Sequence, residues 1–211
     1  MLNDIAGFIN AKVSGANAVV NTPENGDGSI TVEASKILEV CEGLKTGEHE
    51  FNVLQVISGV DYKDYIELVY VLASFSKNTE LLLKVKLDRG TDANLPTIDS
   101  VTSVWSAANW QEREAYDMIG VRFNNHPDHR RILTPDDWEG HPLRRDYVVQ
   151  EVYRDMVVNP EAKINTADHL FMKRLKETHP DPKKVSGSWK SDDGDAAASE
   201  TEARSEERRV G

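Results

Sequence analysis

Cysteine is almost absent from this 211-residue sequence. Cys41 stands alone, so the chain can form no internal disulfide and cannot by itself supply the four thiolates of a standard iron–sulfur cluster. Bases are also scarce relative to acids: 25 Lys and Arg against 36 Asp and Glu give a net charge of −11. Residues 1–80 hold twelve of the acids and only five of the bases, so the imbalance is concentrated early. A phosphate backbone is attracted by the opposite balance, and nucleic-acid binding is disfavoured. No apolar run approaches the roughly 20 residues that a membrane-crossing helix needs. The opening MLNDIAGFIN has no basic region followed by an apolar stretch, so no secretory signal is expected. No G-x-S-x-G, P-loop or G-x-G-x-x-G occurs, which removes support for a nucleophile elbow or a phosphate cradle.

What is present is periodic. Leu2, Ile5, Phe8, Ile9 and Val13 fall at helical spacing and predict one apolar helix face. Ala18–Val20 and Ile30–Val32 flank PENGDGS, a turn-rich stretch that reads as a hairpin loop. A second short helix carries Ile37, Leu38, Val40, Cys41 and Leu44, with Ser35 as its expected cap and Gly43 or Gly47 as its stop. Phe51–Ser58, Tyr65–Ala73 and the alternating Leu81, Leu83, Val85 and Leu87 predict three strands with one wet face, the pattern of an antiparallel sheet. After Pro96 the pattern turns helical, with Val104, Trp105, Ala108, Ala115, Met118 and Ile119 near one stripe and Gly120 to end it. The order α-ββ-α-βββ-α predicts an α+β fold, a mixed or antiparallel sheet with helices on one face, over residues 1–123.

From Asn124 to Val149 periodicity disappears. Prolines break any helix there, yet isolated Ile132, Leu133, Trp138 and Leu143 make the stretch too apolar for a linker. Residues 124–182 therefore read as an extended partner-wrapping arm, with a short helix expected over Thr166–Glu177. Residues 183–211 are acidic, poor in apolar side chains and expected to be disordered.

The chemistry-bearing residues cluster between positions 112 and 147. Arg113 and Asp117 are four apart, the spacing of a helical ion pair. Glu112 falls near the apolar stripe, where a carboxylate is costly unless an Arg or backbone donors satisfy it. His126, His129 and His141 suggest a metal, but two of them precede prolines, and histidines in polar extended segments more often serve as hydrogen-bonding groups. The doubled arginines Arg130-Arg131 and Arg144-Arg145 lie among Asp128, Asp136, Asp137, Glu139 and Asp146. That mixture suits bidentate contacts to protein better than phosphate binding.

The same stretch, ANWQEREAYDMIGVRFNNHPDHRRILTPDDWEGHPLRRDY, resembles the 30-kDa subunit family of respiratory complex I. The resemblance is carried by Glu112, Arg113, Glu114, Asp117, Met118, Ile119, His126, Asp128, Arg130, Arg131, Ile132 and Leu133. It continues through Gly140, His141, Arg144, Arg145, Asp146 and Tyr147. It implies a peripheral-arm subunit of a proton-translocating NADH:quinone oxidoreductase with no catalytic residue, metal or cofactor of its own. Flavin and iron–sulfur clusters would sit on partner subunits. The motif residues would face the large quinone-site subunit in a hetero-oligomer on the cytoplasmic face of a bacterial inner membrane or the matrix side of a mitochondrial one. Relatives in membrane-bound hydrogenases and in ferredoxin- or F420-linked dehydrogenases share the motif and stand as the alternative. A stand-alone histidine-based metalloenzyme is the reading from a different class.

Overall fold

The computed structural model describes residues 1–91, 94–158 and Arg174. Residues 1–149 form one compact unit and a second begins at Gln150. The expected helix over Thr166–Glu177, apart from Arg174, and the expected acidic tail lie outside the described residues.

Helix α1 (Leu2–Lys12) buries Ile5, Ala6 and Ile9, the stripe that its spacing predicts. Strands β1 (Val19–Asn21) and β2 (Ser29–Val32) pair antiparallel around the glycine-containing loop. A 3₁₀ turn, Ala34–Lys36, then leads into α2 (Ile37–Thr46). Ser35 lies inside that turn, and α2 starts without a side-chain cap, so the expected capping role is not taken. Of the two candidate stops, Gly47 ends α2, while Gly43 is buried within it.

Strands β3 (Val53–Asp61), β4 (Tyr65–Ser74) and β5 (Thr79–Asp88) form an antiparallel meander. The sheet order is β1-β2-β5-β4-β3, and β2 runs parallel to β5. The sheet is therefore mixed. The parallel contact arises because the α2 crossover returns the chain to the sheet beyond β2 rather than beside it. Cross-strand rows such as Ile30–Leu83–Tyr70–Ile57 and Val32–Val85–Leu68 build the buried face. That face and the apolar stripes of the helices share one hydrophobic core.

The stretch after Pro96 is only partly helical. Thr97–Asp99 is strand β6, parallel to β7 (Arg122–Asn124), and turns lead to α3 (Ala108–Ile119). Val104 and Trp105 join the core from those turns rather than from the helix. Gly59 on β3 lets α3 approach closely, because a Cβ there would lie 3.1 Å from Cγ1 of Ile119. In the second unit, β8 (Val152–Tyr153) and β9 (Met156–Val157) make a short hairpin.

Candidate functional site

Helix α3 presents Glu112, Arg113 and Asp117, all buried, to its surroundings, while Glu114 faces solvent. Arg113 and Asp117 do not pair with each other, contrary to their spacing. Each turns instead to the chain that follows. Arg113 donates from Nε to the Arg130 carbonyl at 3.1 Å and from Nη2 to the Arg131 carbonyl at 3.4 Å, and it lies 3.5 Å from Asp128. Its guanidinium also stacks over the exposed Trp110 ring at 5.0 Å.

Asp117 is the centre of a clasp. Its Oδ2 accepts three successive backbone N–H groups, from Ile132 (3.1 Å), Leu133 (2.7 Å) and Thr134 (2.9 Å). Its Oδ1 accepts Arg131 Nη1 at 2.7 Å and the Thr134 hydroxyl. Arg131 in turn donates from Nη2 to the carbonyls of Trp138 (3.1 Å) and Gly140 (2.9 Å), which closes the loop between them. Burial alone would raise the Asp117 carboxyl, but the donors from Thr134, Arg131 and Leu133 outweigh it and hold the group down at about 2.

The C-terminal end of α3 is capped from a distance. The carbonyls of its last turn have no partner within the helix. His141 Nδ1 meets the Asp117 carbonyl at 3.0 Å, Leu143 N–H the Met118 carbonyl at 2.9 Å, and Arg144 Nε the Ile119 carbonyl at 2.8 Å. Gly120 makes room for this: its φ is +78°, and a Cβ there would lie 2.5 Å from the His141 ring. Arg144 also reaches the Arg89 carbonyl at 3.1 Å. Next to it, Asp61 accepts Arg145 N–H at 2.9 Å and both Arg89 Nε and Nη2 at 2.9 Å. Arg89 further holds Asp146 at 2.8 Å. Burial pushes the Asp61 carboxyl up, and the contacts from Arg89 and Arg145 more than reverse it. Trp138 donates to the Tyr147 hydroxyl at 3.1 Å, and the Tyr147 ring covers Gly140.

Thus the segment 128–147 lies across this chain's own α3 and the far ends of β3 and β5. Of the residues expected to face a partner, Arg113, Asp117, Arg131, His141 and Arg144 are engaged inward, for a physical reason: each satisfies backbone groups that the fold leaves open. Arg130, Leu133, Leu143 and the Arg145 side chain are exposed. Sequence reasoning missed Asp61, Arg89, Ser100 and Thr134. Asp61 and Arg89 close strands far from the motif in sequence, and only folding brings them to Arg145.

The histidines act as backbone partners. His126 Nδ1 accepts Asp128 N–H at 3.0 Å and its Nε2 meets the Asn109 carbonyl at 3.1 Å, so the proton is on Nε2. His129 Nε2 accepts Phe123 N–H at 3.1 Å, and burial lowers its affinity for a further proton. Among the described residues no group of three His, Cys, Asp or Glu side chains is placed to hold a metal. Glu112 is satisfied by Ser100 Oγ at 2.6 Å and Val101 N–H at 2.7 Å, the backbone-donor solution that its position demands.

The fold and site together define a mixed-sheet α+β domain whose C-terminal segment is clasped onto a helix through buried charges. Residues 30–153 match the sequence pattern of the family described as respiratory-chain NADH dehydrogenase, 30 Kd subunit. The chain belongs to that family. It is 44% identical over 129 residues to the C subunit of the NADH-quinone oxidoreductase of Geobacter sulfurreducens, covering 59% of this chain and 76% of the relative. It is 42% identical over 134 residues to the equivalent protein of Roseiflexus, covering 61% and 75%. Among solved structures, a chain of the archaeal membrane-bound sulfane sulfur reductase, a respiratory membrane complex, shares the fold. The TM-score is 0.57 at 20% identity, over 90% of this chain and 96% of that one.

Proposed function

We propose that the chain is a non-catalytic structural and assembly subunit in the peripheral arm of a proton-translocating NADH:quinone oxidoreductase, packed against the subunit that forms the quinone site. Family membership supports the enzyme, and the clasp supports the role. The observation that carries it is the direction of the charged groups. Asp117, Arg113, Arg131, His141 and Arg144 spend their hydrogen bonds on the chain's own backbone, which is the arrangement of a shaped surface. The exposed Trp110, Leu133 and Leu143 would serve as apolar anchors, and the exposed Arg130 and Arg145 side chains as polar contacts. No helix among the described residues is long and apolar enough to cross a membrane; in this reading the chain is attached through partner subunits on the cytoplasmic or matrix side. Flavin and iron–sulfur clusters belong to those partners.

Deletion of the gene followed by native mass spectrometry of the membrane complex tests this. The expected result is loss of the assembled peripheral arm while the other subunits are still made. Normal assembly without the chain overturns the structural role. A complex containing the chain but lacking an NADH-oxidising flavin subunit overturns the assignment to NADH oxidation and favours a hydrogenase-type or ferredoxin-linked assembly.

A further inference from the structure

A different feature of α3 has no place in the clasp. The side chains of Glu112 and His126 are both fully buried, 3.8 Å apart, at the junction of α3, the Ser100–Thr102 turn and the start of the arm. Burial first, and then the Glu112 carboxylate, push up the Tyr70 hydroxyl of β4 and the Cys41 thiol of α2, the latter also under the influence of Glu42. The hydrogen bonds define who carries which proton. His126 Nδ1 accepts Asp128 N–H, so the ring donates from Nε2, to the Asn109 carbonyl at 3.1 Å. Ser100 Oγ is placed to reverse roles: it donates to an ionised Glu112 or accepts from a protonated one, with the Thr102 hydroxyl 2.8 Å away on its other side.

We propose that Glu112 is a proton-linked latch: its protonation state decides whether the His126 Nε2–H stays on the Asn109 carbonyl or turns to Glu112, and so sets how the turn 126–131 sits against α3. With Glu112 protonated, its own O–H is given to Ser100 and His126 remains on Asn109. When the carboxyl releases its proton to solvent, the buried charge has only the Ser100 and Val101 donors. The His126 Nε2–H is then a donor within a small ring rotation, 3.8 Å from Glu112 against 3.1 Å from the Asn109 carbonyl. A ring that turns toward Glu112 moves Nδ1, and with it the Asp128 amide. The Asp128 carboxylate pairs with Arg113 and Arg130, so the shift is passed to the exposed arginine of the turn. Burial favours the protonated form and pushes the Glu112 carboxyl up to about 7, which places the transition at neutral pH.

The full chain, labelled with ¹⁵N, is titrated by NMR between about pH 5.5 and 8.5, a window that brackets the expected ionisation. The Asp128 amide and His126 Nε2 resonances are expected to move together with one midpoint near 7. In Glu112→Gln, a neutral isostere that still accepts Val101 N–H, that shared transition should be absent. An Asp128 amide that stays still in the wild type, or moves with the same midpoint in Glu112→Gln, overturns the proposal. Should Glu112→Gln fail to fold, Ser100→Ala decides. Loss of one donor to the carboxylate should raise the shared midpoint by about one pH unit, and an unchanged midpoint overturns it.

Discussion

Glu112 and Asp117 lie one and a half turns apart on the same helix, both buried, and burial acts on both in the same direction. The difference lies in their donors. Asp117 receives three backbone N–H groups, a hydroxyl and an arginine, whereas Glu112 receives one N–H and one hydroxyl. The signs of their pH dependences are therefore opposite. Asp117 sits at about 2, below its ordinary 3.8, so its contribution of about 2 kcal/mol is present above the ordinary value and lost as pH falls through about 2. Glu112 is raised from 4.5 to about 7, so stability declines as pH rises through that interval, by roughly 3 kcal/mol in total. Urea denaturation at a series of pH values should show Glu112→Gln losing most of the decline between those limits. Asp117→Asn should instead destabilise at neutral pH by about 3 kcal/mol, because it leaves Arg131 and backbone donors without their anion. Equal effects of the two substitutions at pH 8 would contradict this account.

At the scale of elements, the strands and α1 are legible in the sequence because burial imposes a period. Leu81, Leu83, Val85 and Leu87 can alternate with charges only on a sheet with one dry face. Periods fail where an element is short: β6 holds a single buried apolar residue, Ile98, and its partner β7 only Phe123, so neither carries a readable alternation. The clasp is legible in its composition and not in its direction. Nothing local to Gly140-His141-Pro142-Leu143-Arg144 announces that its donors belong to carbonyls of Asp117, Met118 and Ile119, more than twenty residues earlier. Gly120 is where the two can be separated. Gly120→Ala introduces a Cβ at a left-handed φ of +78° against the His141 ring, which should cost roughly 2 kcal/mol or more. Hydrogen exchange should then speed up at the Leu143 amide while the amides of β4 keep their protection. Uniform acceleration across the sheet would mean that the cap and the core unfold together.

For the whole molecule, the inward and outward residues of the arm give two kinds of variant that one assay of assembly alone would confuse. Arg144 is buried and donates to carbonyls of α3 and of Arg89, so Arg144→Ala should lower the melting temperature of the isolated chain, through unsatisfied buried acceptors costing about 1–3 kcal/mol. Any loss of assembly would follow from that. Trp110, Leu133 and Leu143 are exposed, and surface side chains of this kind contribute little to folding. Their combined replacement by Ala should leave the melting temperature of the free chain within a few degrees and abolish co-purification with the other subunits, as truncation of interface anchors does. Arg145→Ala belongs with this outward set, because the fold uses its backbone N–H and leaves its side chain in solvent. A chain cut after Val149 extends the same logic. The unit 1–149 encloses the shared core, the clasp and the α3 cap, so it should unfold cooperatively on its own at nearly the temperature of the full chain. If the truncated chain melts normally but no longer joins the complex, the residues from Gln150 onward carry part of the grip on the partner. If it joins as well as the full chain, the grip lies wholly on the clasp surface.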